Sequence, residues 1–436
     1  MMKKNILPFV IMGFVCLFTT NLFAQSIDKI INAGEVERIE KILSSDSMQG
    51  RKVFTQAIDK AAEFISAEFK KNGLQYFPGL NSYSQEFTMV KPKFIAAEGK
   101  FDDKILETKN ILAFTTQADL TINNNSGYQK IFLTSDSNFV RNAIKYVESD
   151  KNYLLIVDPS NAVAFNRLKR FKRETFKKSN SIVFVLSAVD PAKYELTIKH
   201  ELSESKLANV VGILPGKSPL GDLGAEYVIF SGHYDHLGIG KPDAKGDSIY
   251  NGANDDAAGT TAAILLSKYF SQLKNNERTI IFVAFTAEEI GGYGSNYFSK
   301  QLDAEKVIAM FNIEMIGTES KWGTNSAYIT GYERSNFGKI LQKNLAGSKF
   351  HFEPDPYPEQ QLFYRSDNAK LAELGVPAHT ISTSKMDAEP NYHKQSDEIG
   401  TLDLNNMAEI IKSIAISSKT IVSGKDTPAR IIVVSQ

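Results

Sequence analysis

Short segments of this chain set histidines and carboxylates in a recurring context, most of them just past an apolar run. They are Gly232-His233-Tyr234-Asp235-His236, Asn254-Asp255-Asp256, Glu288-Glu289, Asn312-Ile313-Glu314 and Tyr392-His393. Imidazole and carboxylate together are the donors of a hard-to-borderline divalent metal pair, and zinc suits that mixture best. A single acidic residue after a strand is usually a solvated loop position. A run of such segments, two with doubled acids, is hard to reach by accident.

Each segment also has a chemical logic of its own. His233 and Asp235 stand two apart at a strand end and share a face. If one ring nitrogen of His233 binds metal, the other needs an acceptor, and Asp235 is placed to supply it. Asp255-Asp256 lies between Gly252 and Gly259 and opens a helix. A helix cap alone explains one aspartate there, whereas two allow one to bridge two cations while the other braces the turn. Adjacent carboxylates at Glu288-Glu289 diverge on a loop backbone, so one can bind metal while its neighbour faces substrate. That division suits hydrolysis, because a metal-activated water needs a base beside it. His393 completes a second metal. His200, His236, His351 and His379 are read as structural or supporting.

Elements must hold these segments in place. From Ala208 onward, apolar strand candidates at Tyr227 to Ser231, Thr279 to Phe285, Val307 to Ile313, Ser326 to Thr330 and Ala378 to Ser382 alternate with helix candidates. Those helices are Ala257 to Leu273, Gly292 to Leu302, Ser335 to Leu345, Asp367 to Leu374 and Leu402 to Ser418. Such alternation predicts an α/β fold, a mostly parallel central sheet with helices on both faces. Its ligand crevice lies beyond the carboxyl ends of the strands, where His233, Glu288, Glu289 and Glu314 fall. Before it, Ile27 to Leu43 and Ala57 to Asn72 read as amphipathic helices around a polar loop, Ser44 to Arg51. Between them and the sheet, residues 86–205 read as an inserted, β-containing smaller domain with no ligand candidate. Its basic stretch from Arg167 to Lys178 reads as a solvated helix face. The expected division is 1–24 signal peptide, 25–85 and 206–425 one catalytic domain, and 426–436 a tail.

The segments resemble the zinc aminopeptidase family with a co-catalytic metal pair, which also contains glutamate carboxypeptidases and the related glutaminyl cyclases. The resemblance covers roughly residues 27–85 and 205–420, and extends to the loop Ser44 to Arg51. It implies that Asp255 bridges two zinc ions per chain, that His233 and Glu314 complete one site, and that Glu289 and His393 complete the other. It makes Glu288 the general base, with Asp235 behind His233, and puts a cis peptide between Asp255 and Asp256. Tyr364 or Arg365 would face the oxyanion. The sequence departs from the family pattern twice, with Glu314 where aspartate is usual and Asn368 where histidine is frequent. The implied function is a metallo-exopeptidase, an aminopeptidase acting on peptides. Glutaminyl cyclization, an acyl transfer on one metal, is disfavoured by the Asp255-Asp256 pair and the double ligand set. A non-catalytic binding module is disfavoured by the presence of Glu288.

Composition is consistent with a folded chain of this kind. The 436 residues are 42% hydrophobic and 23% charged, with 50 basic residues against 50 acidic, so nothing favours nucleic acid or an anionic lipid surface. The N-terminus differs: Lys3-Lys4 precede an apolar run from Ile6 to Phe18, then Asn21-Leu22-Phe23-Ala24-Gln25. That is the pattern of an export signal cleaved after Ala24, which implies a periplasmic or secreted protein without stable membrane association. An uncleaved anchor is the alternative, although the run is short of the ~20 residues that span a bilayer. Cys16 is the only cysteine, so the mature chain forms no disulfide and offers no thiolate.

Overall fold

The computed structural model describes residues 27–219 and 222–432. The expected signal peptide, with Cys16, and the residues after Ile432 lie outside the described residues. Among the described residues no helix is long and apolar enough to cross a membrane. The chain divides into two compact units, one from residues up to Glu86 and from Leu207 onward, the other Phe87–Lys206.

The larger unit is built on β1 (Tyr227–His233), β2 (Thr279–Phe285), β3 (Val307–Ile313), β4 (Ser326–Ile329), β5 (His351–Pro354) and β6 (Ala378–Ser382). Across the sheet these run β5-β4-β6-β3-β1-β2, followed by the strand Tyr194–Leu214. Pairing is parallel for β1 with β2, β1 with β3, β3 with β6 and β4 with β5. It is antiparallel where β4 meets β6 and where residues 210–214 meet β2. The sheet is therefore parallel at its centre and mixed toward its edges. Central strands such as Thr-Ile-Ile-Phe-Val-Ala-Phe in β2 are buried along their whole length, as a strand covered on both faces requires.

Helices supply that cover. They are α1 (Ala33–Leu43), α2 (Gln56–Lys71), α3 (Ala258–Leu273), α4 (Tyr293–Ser299), α5 (Phe337–Asn344), α6 (Ala369–Glu373) and α7 (Leu404–Ser417). One apolar cluster joins Val228, Phe230, Phe282 and Phe311 of the sheet to residues of α1, α2, α3, α5 and α7. The other face joins Ile229, Ile281, Val283 and Met310 to Phe298 of α4 and Leu371 of α6. Phe230 is the hub of the first cluster, its ring stacked against Phe270, Phe282 and Phe311 at 5.4, 5.7 and 4.7 Å between centroids.

The smaller unit has a four-stranded sheet in the order Ile111–Phe114, Ile182–Leu186, Tyr153–Val157, Gln129–Leu133. Its last three strands are parallel and the first antiparallel. Helices Phe139–Val147 and Ala162–Leu168 close it, around apolar clusters made of its own residues.

Two expectations need correction. The helix read from Ile27 to Leu43 is broken at residues 31–32, because Asn32 caps a new helix there. Its side-chain oxygen accepts the Glu35 amide at 3.1 Å, an interaction that competes with helix continuation. The basic stretch from Arg167 is α-helical to Leu168 and continues as one 3-10 turn over Lys169–Phe171, followed by a short strand at Thr175–Phe176. Lys172 is only partly exposed: its Nζ lies 2.9 Å from His200 Nε2 and over the Phe94 ring. Burial pushes the Lys172 amine down to about 8.

Under the central sheet, α1 buries Glu40, whose Oε1 accepts the Thr261 hydroxyl at 2.7 Å. Burial pushes the Glu40 carboxyl from 4.5 up to about 8, against the opposing charge of Arg51. Its contribution to stability is fully present below pH 4.5 and is lost as pH rises through about 8, because the unfolded chain has already released the proton. Denaturant unfolding at pH 5 and pH 8 is expected to show a fall in stability that Glu40→Gln reduces by on the order of 3 kcal/mol.

Candidate active site

The sheet order decides which segments meet. β1 lies between β2 and β3, so the chain passes from β1 to one neighbour and then returns to the other side. That reversal is the switch point at which a crevice opens in an open α/β sheet. His233 ends β1, Glu288 and Glu289 follow β2, and Glu314 follows β3 directly. The Asp255-Asp256 loop leads into α3 behind them, and its peptide bond is cis.

Two donor groups result, with Asp255 in both. His233, Asp255 and Glu314 form one, and His236, Asp255 and Glu289 form the other, the donor atoms of each lying within 4.8 Å of one another. His233 Nε2 is 3.2 Å from Asp255 Oδ1. His393 Nε2 is 3.2 Å from both Asp255 Oδ2 and Glu289 Oε2. His236 Nδ1 is 2.7 Å from Glu289 Oε1. Asp255 Oδ2 is buried without a hydrogen bond of good geometry, as fits an oxygen that faces a cation. The donors are imidazole and carboxylate, and the residues present fit a pair of divalent metals.

Other carboxylates hold these loops without joining the donor groups. Asp256 accepts backbone N–H groups of His233, Gly259 and Met315 at 3.0, 2.9 and 3.1 Å. Gly259 must be glycine, since a Cβ there would run into the Ile313 carbonyl and the Asp256 carboxylate. Asp397 accepts the amides of Asn254 and Asp255 at 2.9 and 3.0 Å. Asp235 accepts those of Glu288 and Glu289 at 3.1 and 3.3 Å. Asp235 therefore does not sit behind His233 as the spacing suggested. His233 Nδ1 meets the Asp235 carbonyl at 3.1 Å, and the carboxylate at 3.8 Å is turned to the glutamate loop. Arg51, fully buried, donates to the carbonyls of Leu43, Tyr234, Asn251 and Gly252, tying the Ser44 to Arg51 loop to the site.

Electrostatics follow from this crowding. Burial pushes the carboxyls of Glu288 and Glu314 up, with neighbouring acids adding to the shift and the charge of His233 opposing it. Burial also opposes charge on Asp255, but its bonds to His233 and His393 outweigh that and hold it well below the usual carboxylate range. His393, whose Nε2 lies 3.2 Å from both Asp255 and Glu289, is pushed up to about 10 by these carboxylates. Burial raises Asp397 and Asp235 to about 6 and Asp367 to about 7.

The remaining expected residues divide. Arg365 lines a cavity of about 50 Å³ beside Glu314, together with Tyr392, Tyr328, Thr380 and Met386. Tyr364 does not reach it. Its ring, 41% exposed, lies against Phe363 and under the Arg334 guanidinium. Asn368 is structural, donating to the carbonyls of Phe363 and Ala378 and accepting from Thr380. Sequence reasoning missed Asp397, Asp367 and the placement of His236 and Tyr392. His236 and Tyr392 stand inside segments already marked by ligand candidates, Asp397 four residues after His393 and Asp367 beside Asn368, and that proximity was the available signal.

Asp256→Ala would leave three buried N–H groups without an acceptor, each worth about 1–3 kcal/mol. Denaturant unfolding of the metal-free variant is expected to show a loss of at least about 3 kcal/mol, with a smaller loss for Asp256→Asn.

The chain is similar to proteins already known. Residues 209–416 match the model described as Peptidase family M28. Aminopeptidase YwaD of Bacillus subtilis is 24% identical over 197 residues, 44% of this chain and 39% of that protein. A probable zinc metalloprotease of Pyricularia oryzae is 33% identical over 117 residues, 26% of this chain and 22% of that protein. The chain thus spans less than half the length of these curated relatives. Among solved structures, an aminopeptidase from Aneurinibacillus sp. strain AM-1 superposes with a TM-score of 0.54 at 17% identity, over 94% of this chain and 98% of that one. BSAP, a zinc aminopeptidase from Bacillus subtilis, gives 0.53 at 16% identity, over 90% and 95%. At these identities the superpositions establish the fold.

Proposed function

Because residues 209–416 match the model of peptidase family M28, we propose that the chain is an exported aminopeptidase that uses two zinc ions to release N-terminal residues from peptides. The observation that carries this reading is the sharing of Asp255 between two donor groups, with the partly buried Glu288 next in sequence to the donor Glu289. A cyclase that works on one metal has no use for a bridging aspartate. The names of the similar proteins, aminopeptidases and zinc metalloproteases, support zinc and the aminopeptidase direction.

In this reading His233, Asp255 and Glu314 hold one zinc, and Asp255, Glu289 and His393 hold the other. When bound, the pair supplies Lewis acidity toward water and the scissile carbonyl. The protein's own groups do the rest. Glu288, next in sequence to the ligand Glu289, accepts a proton from the attacking water and returns it to the leaving amine. Its amide is held by Asp235, so the base and the ligand keep their relative positions as one clamped turn. Tyr392 and Arg365, which line the cavity beside Glu314, face the carbonyl oxygen as it gains charge. The apolar N-terminal run from Ile6 to Phe18 supports export, with the mature chain beginning at Gln25.

Quantitative metal analysis of the purified mature chain is expected to give two zinc ions, and a chelator should abolish turnover of aminoacyl amides until zinc is restored. One tight zinc, with turnover indifferent to more, would sink the two-metal reading. Glu288→Gln is expected to keep both zincs and lower kcat by roughly a hundredfold to ten-thousandfold. Release of zinc by that substitution would reverse the division of labour between Glu288 and Glu289.

A further inference from the structure

His236 is absent from the ligand sets just assigned, yet it occupies a built position beside one of them. Its ring is buried, and its Nδ1 lies 2.7 Å from Glu289 Oε1, a short contact of the charge-assisted kind. The same nitrogen is 4.0 Å from Asp255 Oδ2. Its Nε2 has no hydrogen-bond partner. The seat is narrow: a Cβ at Gly252, where φ is +59°, would fall 2.5 Å from the His236 ring. The backbone is fixed as well, the His236 amide donating to the Arg51 carbonyl at 3.2 Å.

The two oxygens of Glu289 therefore have separate partners. Oε2 faces His393 Nε2 at 3.2 Å, the nitrogen that also faces Asp255 Oδ2 at 3.2 Å. Oε1 is taken by His236. We propose that His236 is a positioning residue: by donating Nδ1–H to Glu289 Oε1 it leaves Oε2 alone to meet the second zinc, and so sets the affinity of that site. The inference rests on the two-zinc reading above. Direct ligation by His236, which the donor grouping also admits, fits less well: 2.7 Å between Nδ1 and Glu289 Oε1 is a hydrogen-bond distance, shorter than the 3.2 Å at which His393 Nε2 stands from the Asp255 and Glu289 oxygens. A glutamate arm is long enough to turn both oxygens toward a cation, and a fixed donor on one oxygen prevents this. Groups that orient a metal ligand in this way typically change metal affinity ten- to a hundredfold when removed.

The test is zinc binding, read by competition with a chromophoric chelator on the full mature chain, for wild type, His236→Ala, His236→Asn and His236→Gln. In His236→Ala the second zinc should bind about ten- to a hundredfold more weakly while the first is unchanged. The Asn amide nitrogen stands close to the place of Nδ1, so His236→Asn should recover most of the lost affinity. The Gln amide reaches further along the ring, toward the place of Nε2, and His236→Gln should not. X-ray absorption at the second site should count one imidazole. Two zincs bound by His236→Ala as tightly as by wild type, recovery by Gln instead of Asn, or two imidazoles on the second metal would each overturn the assignment. If wild type binds a single zinc, the two-metal reading fails first and this inference falls with it. A wild type with two zincs and an indifferent Ala variant removes only the role of His236.

Discussion

Asp255, Glu288, Glu289 and Glu314 are carboxylates crowded around His233 and His393, with His233 and Asp255 buried and the glutamates partly so. Burial disfavours each charge, and like charges disfavour one another. Without cations the cluster settles this with protons: His233 and His393 are pushed up, Glu288 and Glu314 are pushed up, and Asp255 and Glu289, each facing two imidazoles, are held low. Divalent metal bound among these donors would remove the same repulsion more completely. Metal binding and the conformation of these loops are then one equilibrium.

Such a cluster has to be held from outside, and the structure does so with charges that do not join the donor groups. Asp256, Asp235 and Asp397 each gather backbone amides of the ligand loops, and Arg51 gathers carbonyls. The loops are thereby drawn to fixed positions above a rigid sheet, the arrangement on which precise sites depend. Ala287, Met315 and His393 have φ of 61°, 55° and 55°, a region that non-glycine residues rarely adopt. Each adjoins or is a residue of the metal cluster, and such conformations persist where the surroundings over-determine them.

The division into two units keeps this work in one place. All the donors and the groups that brace them come from the unit that contains the larger sheet, whose two apolar clusters are its own. The Phe87–Lys206 unit has separate clusters. Its half-buried Lys172–His200 contact is a local matter of packing a basic stretch whose later part is not helical.

What the amino-acid order determined by itself was whatever has a period or a position relative to a strand end. Continuous apolar runs marked β2, β3 and β6 to the residue, since a strand covered on both faces must be apolar throughout. The ligand segments were legible because they follow those runs. Helix ends were read less well, as at α4 and α6, because polar ends carry no periodicity. Loops have none at all, so the direction of a side chain within them was decided by tertiary structure. Asp235 was expected behind the His233 ring and instead clamps the Glu288-Glu289 turn. Tyr364 was expected at the site and lies against Arg334, while Tyr392 lines the cavity. His236, three residues from His233, meets Glu289 only because β2 pairs beside β1. The order β2-β1-β3 is a long-range choice that no local pattern states, and it alone brings carboxylates distant in sequence onto the same aspartate.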